Sequence, residues 1–207
     1  MNVLSRPCGP LKVNSYIVYN NKENALLIDP AGLSFVKYAC EELHIKISAI
    51  LLTHGHFDHI WDLALINDYL GGVPVFVSSY DEELLSDNEK NAYIFCGGTL
   101  DKCFGSATNL ISDGDTIVIN DICINVISTP GHTFGCVCYL IDNSLFTGDT
   151  LFFDTHGRTD LYGGSHTQMK LTLKRMLEFI SENPSLLIYP GHGEYAFTAS
   201  NIRIDLA

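Results

Sequence analysis

Four residues of metal-ligand type stand within a six-residue span of this sequence. The segment 53–59 reads THGHFDH and offers His54, His56, Asp58 and His59. It follows an apolar run that predicts a buried strand, and a loop at a strand end can direct such side chains into one cavity. Neutral imidazoles and carboxylates are ligands that zinc or iron prefers. A histidine-rich turn with Asp58 as a helix cap is the alternative interpretation.

Three further candidates occupy equivalent places later in the chain. His132 follows STPG, Asp149 follows FTG and His192 follows IYPG, so each comes after an apolar strand pattern and a glycine. A turn residue would explain any one of them alone. Three repeats of this arrangement, together with segment 53–59, favour a shared metal centre.

The elements that must position these residues fall into two successive groups. Alternating or apolar runs predict strands at 13–19, 25–28, 47–53 and 73–77, and helical spacing predicts helices at 33–43 and 58–70. A small helix and a long loop are expected over 79–109. Strands follow at 117–129, 136–147 and 186–189, with an amphipathic helix at 167–180. Two groups of strands predict two facing sheets with helices outside, of α/β or α+β class.

The motifs resemble those of metallo-β-lactamase-fold hydrolases, because H-x-H-x-D-H, G-H, G-D and G-H occur in that family's order over nearly the whole chain. The segments GPLKVNSYIVY (9–19), LLIDPAG (26–32), STPGHTFG (128–135), LFTGDTLF (145–152) and GRTDL (157–161) are similar to the glyoxalase II-like branch. The resemblance implies an α+β, four-layer αββα sandwich formed by a single domain over residues 1–207. It also implies that the C-terminal helical region of glyoxalase II is lacking.

The resemblance further implies two metal sites that share one carboxylate. Site 1 would take His54, His56 and His132, and site 2 would take Asp58, His59 and His192, with Asp149 as the bridge. The expected cofactors are two divalent metal ions, zinc in the first place and iron or manganese as alternatives.

Hydrolysis by a hydroxide is the chemistry expected of such a centre. Two ions about 3.5–4 Å apart lower the pKa of a shared water to about 7. Asp58 is expected to orient that hydroxide. Asp29 is a candidate for fixing a ligand histidine, or else a turn residue. Arg158 is a candidate for binding a substrate carboxylate, with a structural Arg158–Asp160 pair supporting the metal loop as the alternative.

Composition narrows the partners and the compartment. The 207 residues carry a net charge of -12 and no basic cluster, which argues against nucleic-acid partners. The seven cysteines form no C-x-x-C pair and suit reduced thiols in the cytoplasm. The N-terminus lacks the apolar segment of a signal peptide, and no apolar run is long enough to span a membrane. A small-molecule substrate is therefore expected, with neither nucleic-acid nor membrane partners.

Several functions remain open from the sequence. The leading prediction is hydrolysis of small thioesters of the S-acylglutathione (hydroxyacylglutathione) type. A mononuclear iron persulfide dioxygenase, using His54, His132 and Asp149, is the alternative. Lactone and β-lactam hydrolysis rest on fold analogy, and a non-catalytic metal-stabilised module would not require seven ligands. No role is assigned to Trp61, Cys136, His156 or His166.

Overall fold

The computed structural model describes residues 1–204, and the first half of the chain forms one six-stranded sheet. Its strands are β1 (Asn2–Cys8), β2 (Val13–Tyr19), β3 (Ala25–Ile28), β4 (Ile47–Leu51), β5 (Val75–Ser78) and β6 (Asn109–Ile111), in that spatial order. The pairs β1–β2 and β2–β3 are antiparallel. The pairs from β3 to β6 are parallel, so helices and loops must cross over between them.

The second half of the chain forms a second six-stranded sheet. Its strands are β7 (Thr116–Ile119), β8 (Ile122–Ser128), β9 (Val137–Ile141), β10 (Ser144–Gly148), β11 (Leu187–Pro190) and β12 (Phe197–Thr198). They also lie in chain order, and only β10 and β11 run parallel. The connection between β10 and β11 therefore contains a long helix.

Within residues 1–204, three α-helices cover the outer faces of the two sheets. They are α1 (Leu33–Glu41), α2 (Leu63–Tyr69) and α3 (His166–Glu182), and two short 3-10 turns occupy Glu82–Leu85 and Ala199–Asn201. One core joins α1 and α2 to the first sheet, a second fills the space between the sheets, and a third joins α3 to the second sheet. The order of layers is αββα, which confirms the fold class predicted from the sequence.

Strand β2 shows how the sequence produces these layers. Successive side chains of a strand point to opposite faces. Ile17 accordingly packs in the core beneath α1 and α2, whereas Tyr16 and Val18 pack between the sheets. All three are buried, because this strand lies inside the sandwich with both of its faces covered.

The structure differs from the predicted elements at two places near the site. Strand β1 was not predicted because Arg6 and Pro7 interrupt its pattern, and an edge strand tolerates such residues. Helix α2 begins at Leu63 instead of residue 58, since residues 58–62 form turns. The Asp62 carboxylate accepts a hydrogen bond from Leu33 N (2.8 Å), and so bonds to the start of α1 instead of capping its own helix.

Main-chain hydrogen bonds join the candidate ligand loops of the two sheets at one edge of the sandwich. Val137 N donates to Thr53 O (2.9 Å), which ties β9 to the segment that follows β4. Gly191 N donates to Gly148 O (2.8 Å), so the loops after β10 and β11 are neighbours. The candidate ligands therefore meet although they are separated by up to 138 residues of sequence.

All seven cysteines lie within the described residues, and each is a free thiol. Among the helices of residues 1–204, none combines the length and the apolar character needed to cross a membrane.

Candidate metal centre

The loop after β4 is packed closely enough to fix the direction of its histidines. His54, His56 and His59 are almost completely buried. Gly55 allows this, because a Cβ atom at this position would lie 2.6 Å from the Cβ of Leu84. A side chain at residue 55 would push the loop away from its neighbour and change the direction of both flanking histidines.

Three imidazoles converge on the first cluster. His54, His56 and His132 each offer a nitrogen, and these atoms lie within 4.8 Å of one another. Nδ1 of His56 and Nε2 of His132 are 2.8 Å apart. Two ring nitrogens this close can serve as adjacent ligands of one cation, whose bonds to nitrogen are about 2.0–2.1 Å long. The sequence placed the same three residues in site 1.

A second cluster lies beside the first and contains Asp58, His59 and His192, with ligand atoms also within 4.8 Å. Oδ2 of Asp58 lies 3.3 Å from Nε2 of His192 and 3.9 Å from Nε2 of His59. Asp58 and His59 reach this place from the turns that precede α2, not from the helix itself. These are the residues expected for site 2.

Asp149 lies between the two clusters. Its Oδ1 is 3.2 Å from Nε2 of His59, and its Oδ2 is 3.5 Å from Nε2 of His132 and 3.7 Å from Nε2 of His192. One carboxylate thus contacts imidazoles of both groups. This is the position that a bridging ligand requires.

Several buried polar atoms of the centre have no hydrogen-bond partner among the described residues. They are Nε2 of His54 and His59 and Oδ1 of Asp149; Nε2 of His56 is also unpaired, but it is the other nitrogen, Nδ1, that faces His132. Buried polar atoms are nearly always paired, so a group of orphans indicates that something is bound there. Nitrogen and carboxylate donors at these separations fit divalent cations such as zinc or iron.

The charge states around the centre favour cation binding. Burial, helped by the neighbouring histidines, holds the pKa of His54 well below its usual value and that of His56 at about 3. Burial by itself would raise the pKa of Asp149, but His59 and the other imidazoles hold it well below the usual value. Neutral His54 and His56 beside an ionised Asp149 are the forms that coordinate metals. Against the effect of burial, the neighbouring carboxylates raise the pKa of His59 and His192, so these two rings would release a proton when an ion binds.

Two hydrogen bonds orient ligand histidines from behind. Asp29 Oδ2 lies 2.8 Å from Nδ1 of His59, and the same carboxylate accepts from N and Oγ1 of Thr53, both at 2.8 Å. The main-chain carbonyl of Arg158 lies 2.7 Å from Nδ1 of His132. Such contacts fix the ring and its tautomer, leaving Nε2 free for the metal.

Asp81 is a functional candidate that the sequence analysis missed. Its buried carboxylate accepts hydrogen bonds from Gly55 N (2.9 Å), Gly135 N (2.8 Å) and Thr133 Oγ1 (2.7 Å). It therefore joins the loop of His54 and His56 to the loop of His132. In the sequence it stands in an acidic helix-like stretch, and nothing there signals partners 26 and 54 residues away.

Arg158 and Asp160 form a side-chain pair at the rim of the centre. Nε and Nη2 of Arg158 donate to the two oxygens of Asp160 at 2.7 and 2.8 Å. This is the pairing that the sequence analysis kept as the alternative to substrate binding. Asp160 is largely exposed, and its ion pair is with Arg158. Asp160 is therefore connected to the centre through Arg158, whose main-chain carbonyl contacts His132.

A cavity of about 260 Å³ opens above the two clusters. Five candidate ligands line it, namely His56, Asp58, His132, Asp149 and His192. Its other lining residues are mostly apolar, and Arg158 and His156 stand at its rim. A small molecule in this cavity would lie directly against the ligands.

The residues left without a role lie outside the clusters. Trp61 packs among aromatic side chains, and the Lys102 ammonium lies 3.6 Å from its ring centre. Cys136 is buried beside Thr133 Oγ1 (3.1 Å), His156 contacts the carbonyl of the next residue, and His166 begins α3 on the surface. None of the four belongs to a candidate ligand group.

Comparison with known proteins identifies relatives along most of the chain. Residues 8–192 match the family model of the metallo-beta-lactamase superfamily. The chain is 34% identical over 181 residues to the probable polyketide biosynthesis zinc-dependent hydrolase BaeB of Bacillus velezensis, covering 86% of this chain and 71% of that protein.

Solved structures resemble the fold closely. The BLEG-1 B3 metallo-beta-lactamase has a TM-score of 0.89 and 29% identity, covering 97% of this chain and 95% of that chain. TTHA1623 in a di-iron-bound form has a TM-score of 0.81 and 29% identity, covering 95% of each chain.

Proposed function

From the premise that the chain belongs to the metallo-beta-lactamase superfamily and is a metallo-hydrolase, we propose that it hydrolyses small thioesters of the S-acylglutathione type. The observation that carries the proposal is the position of Asp149. Its two oxygens contact imidazoles of both ligand groups at the floor of one cavity. A single structural ion would not require two adjacent groups of ligands and an open side.

In the proposed centre, His54, His56 and His132 would hold one ion and Asp58, His59 and His192 the other, with Asp149 as the shared ligand. Two bound divalent ions would supply Lewis acidity and a water of lowered pKa. Asp58 is the residue that orients the attacking oxygen, because its carboxylate is at the cavity floor beside His192. Asp29 and the Arg158 carbonyl keep the rings of His59 and His132 in place.

The reaction requires no other reactant than water. A carbon–oxygen bond forms at the thioester carbonyl, the carbon–sulfur bond breaks, and a carboxylate, a thiol and one proton are released. A thiol has an ordinary pKa of about 8.5, so its anion leaves with little need for protonation. Thioesters therefore suit a centre whose side chains are committed to holding metals.

Zinc is the ion we propose first, with iron or manganese as alternatives. Imidazole and carboxylate donors accept each of them. BaeB is named a zinc-dependent hydrolase, whereas TTHA1623 was crystallised with two irons. We also propose a cytoplasmic location, since the seven free thiols suit a reducing compartment, and a small-molecule substrate without nucleic-acid or membrane partners.

β-Lactam hydrolysis is a second candidate, and it is favoured by one observation. BLEG-1, named a B3 metallo-beta-lactamase, has a TM-score of 0.89 and covers 97% of this chain. The same centre would then direct water to an amide carbonyl, and a carbon–nitrogen bond would break. A substrate panel separates the two candidates.

The test is a comparison of kcat/KM for acyl thioesters, lactones and β-lactams with zinc- and iron-loaded protein. Oxygen consumption with a persulfide is measured beside it. We expect thioester hydrolysis to be the fastest reaction, with no oxygen consumed. Faster β-lactam turnover would favour the second candidate, and persulfide-dependent oxygen consumption with one iron per chain would replace both by the dioxygenase.

A further inference from the structure

We infer that the cavity above the metal centre is a binding site for a neutral, apolar acyl group, and that Phe95 determines the preferred chain length. The inference rests on the proposed thioester hydrolysis. It goes beyond that proposal because it names the part of the substrate that the protein recognises and the residue that recognises it.

The walls of the cavity are apolar although they come from separate parts of the chain. They are formed by the β1–β2 loop, the metal loop, the segment between β5 and β6, and the segment that follows β10, through Leu11, Phe57, Ala92, Phe95, Phe152 and Leu161. Convergence of six apolar residues on one space above polar ligands is typical of a substrate site. An apolar group placed there would displace water from all of these surfaces.

Two of the wall residues leave large apolar surfaces in contact with water. Phe95 is 67% exposed and Leu11 is 49% exposed. Exposed apolar side chains at the rim of a cavity gain free energy when a ligand covers them. Leu100, in the same segment as Phe95, is 73% exposed but does not line the cavity, which makes it a matched control.

The single arginine or lysine side chain of the lining is already paired. Arg158 uses two of its donors on Asp160, and its guanidinium carbon lies 5.2 Å from the centre of the Phe95 ring. Its charge is balanced, and its flat side chain packs against Phe95. An acidic acyl group would have to compete with Asp160, so the cavity favours neutral groups.

The apolar wall begins beside the reacting centre. The ring of Phe152 contacts the ring of His192 edge-on, with centroids 6.2 Å apart. An acyl chain attached to a carbonyl at the ligands would therefore meet this wall at once. A cavity of about 260 Å³ leaves room above the ligands for an acyl chain of several carbons.

Phe95 belongs to a segment that is fixed to the metal loop. Phe57 N donates to Asn91 O (3.0 Å), and the Asn91 side chain bonds to Leu84 O (3.0 Å) and to Tyr93 N (3.0 Å). The Phe95 side of the cavity is therefore tied to the same loop that carries His54 and His56. A fixed wall can discriminate between chain lengths.

The test begins with N-acetylcysteamine thioesters of acetyl, butanoyl, hexanoyl, octanoyl and succinyl groups. Each buried methylene contributes up to about fourfold. Because the rim stays open and burial is incomplete, we expect kcat/KM to be at least about thirtyfold higher for octanoyl than for acetyl. Succinyl should be poorer than butanoyl. A flat chain-length series, or a preference for succinyl, would overturn the inference.

Phe95→Ala is the decisive variant, and Leu100→Ala is its control. Phe95→Ala should lower kcat/KM for octanoyl about tenfold more than for acetyl, while Leu100→Ala should leave that ratio at the wild-type value. Equal decreases in kcat/KM for both substrates would show that Phe95 does not determine the preference for chain length.

Calorimetry with a non-hydrolysable amide analogue of the octanoyl thioester separates this inference from the proposed function. We expect the metal-loaded protein to bind the analogue about tenfold more weakly after Phe95→Ala. Phe95-dependent binding without any thioester hydrolysis would support the acyl site and refute the proposed function. Hydrolysis accompanied by Phe95-independent binding would overturn the acyl site alone.

Discussion

The carboxylate of Asp29 lies 2.8 Å from Nδ1 of His59, so Nε2 of this histidine points toward Asp149 in the cleft. Asp29 adopts a left-handed backbone conformation (φ 53°) and also accepts two hydrogen bonds from Thr53. The strand end that carries Asp29 and the strand end that carries the metal loop are thus joined through one buried side chain.

Replacing Asp29 should weaken metal binding without removing a ligand. We expect Asp29→Ala to lower the affinity for the ion at His59 by about 10–100-fold, the usual effect of losing a residue that orients a ligand histidine. Metal titration with a competing chelator measures this. Asp29→Asn, which can still accept from His59, should be affected less, and unchanged affinity in the alanine variant would contradict the assigned role.

Asp81 is expected to hold the two ligand loops together. Asp81→Ala leaves three donors without their acceptor, two main-chain N–H groups and the Thr133 hydroxyl. At about 1–3 kcal/mol for each buried unpaired group, the free energy of unfolding should fall by at least about 2 kcal/mol. Urea unfolding of the zinc-free protein checks this, with the exposed Glu82→Ala as control. Equal unfolding midpoints for the two variants would refute the prediction.

The pairing of Arg158 with Asp160 predicts how the two residues affect selection between acidic and neutral acyl thioesters. Asp160→Ala frees the guanidinium, so kcat/KM for an acidic acyl thioester should rise relative to a neutral one, by about fivefold. Stability should hardly change, since the pair is exposed and solvent screens it. Arg158→Ala should give a lower ratio of acidic to neutral kcat/KM than Asp160→Ala does. If both variants gave the wild-type ratio, the pair would have no part in substrate selection.

Much of this arrangement could be predicted from the sequence because its signals are local. The seven candidate ligands follow strand patterns and glycines, and the two groups of strands correspond to the two sheets. Asp81 gave no such signal, since its importance depends on main-chain groups in loops that only the fold brings near. The apolar cavity was not predicted for the same reason, because Leu11 and Phe95 come to line one cavity only after folding.

The boundaries of α2 show a second kind of limit. Residues 58–70 have helical spacing, yet the helix starts at Leu63. The turns before it place Asp58 and His59 among the ligands, and the Asp62 carboxylate bonds to Leu33 N instead. Local helix preference was overridden by contacts with partners that are distant in sequence.

Metal removal should destabilise the protein as well as inactivate it. Ions that bind the folded state stabilise it by about 2.7 kcal/mol when present at a hundred times their dissociation constant. For a chain of this size, that corresponds to a rise in Tm of about 5–10 °C. Thermal unfolding with added zinc, compared with chelator-treated protein, measures the shift. Identical melting temperatures would argue against metal binding by the native state.

Metal stoichiometry tests the two-metal centre most directly. Protein purified without added metal and then loaded with zinc should contain two ions per chain by elemental analysis. Asp149→Ala should contain one or none and should lose thioester hydrolysis, whereas the exposed Asp154→Ala should retain two ions and full activity. Two ions and full activity in Asp149→Ala, or a single ion in fully active wild-type protein, would contradict the account.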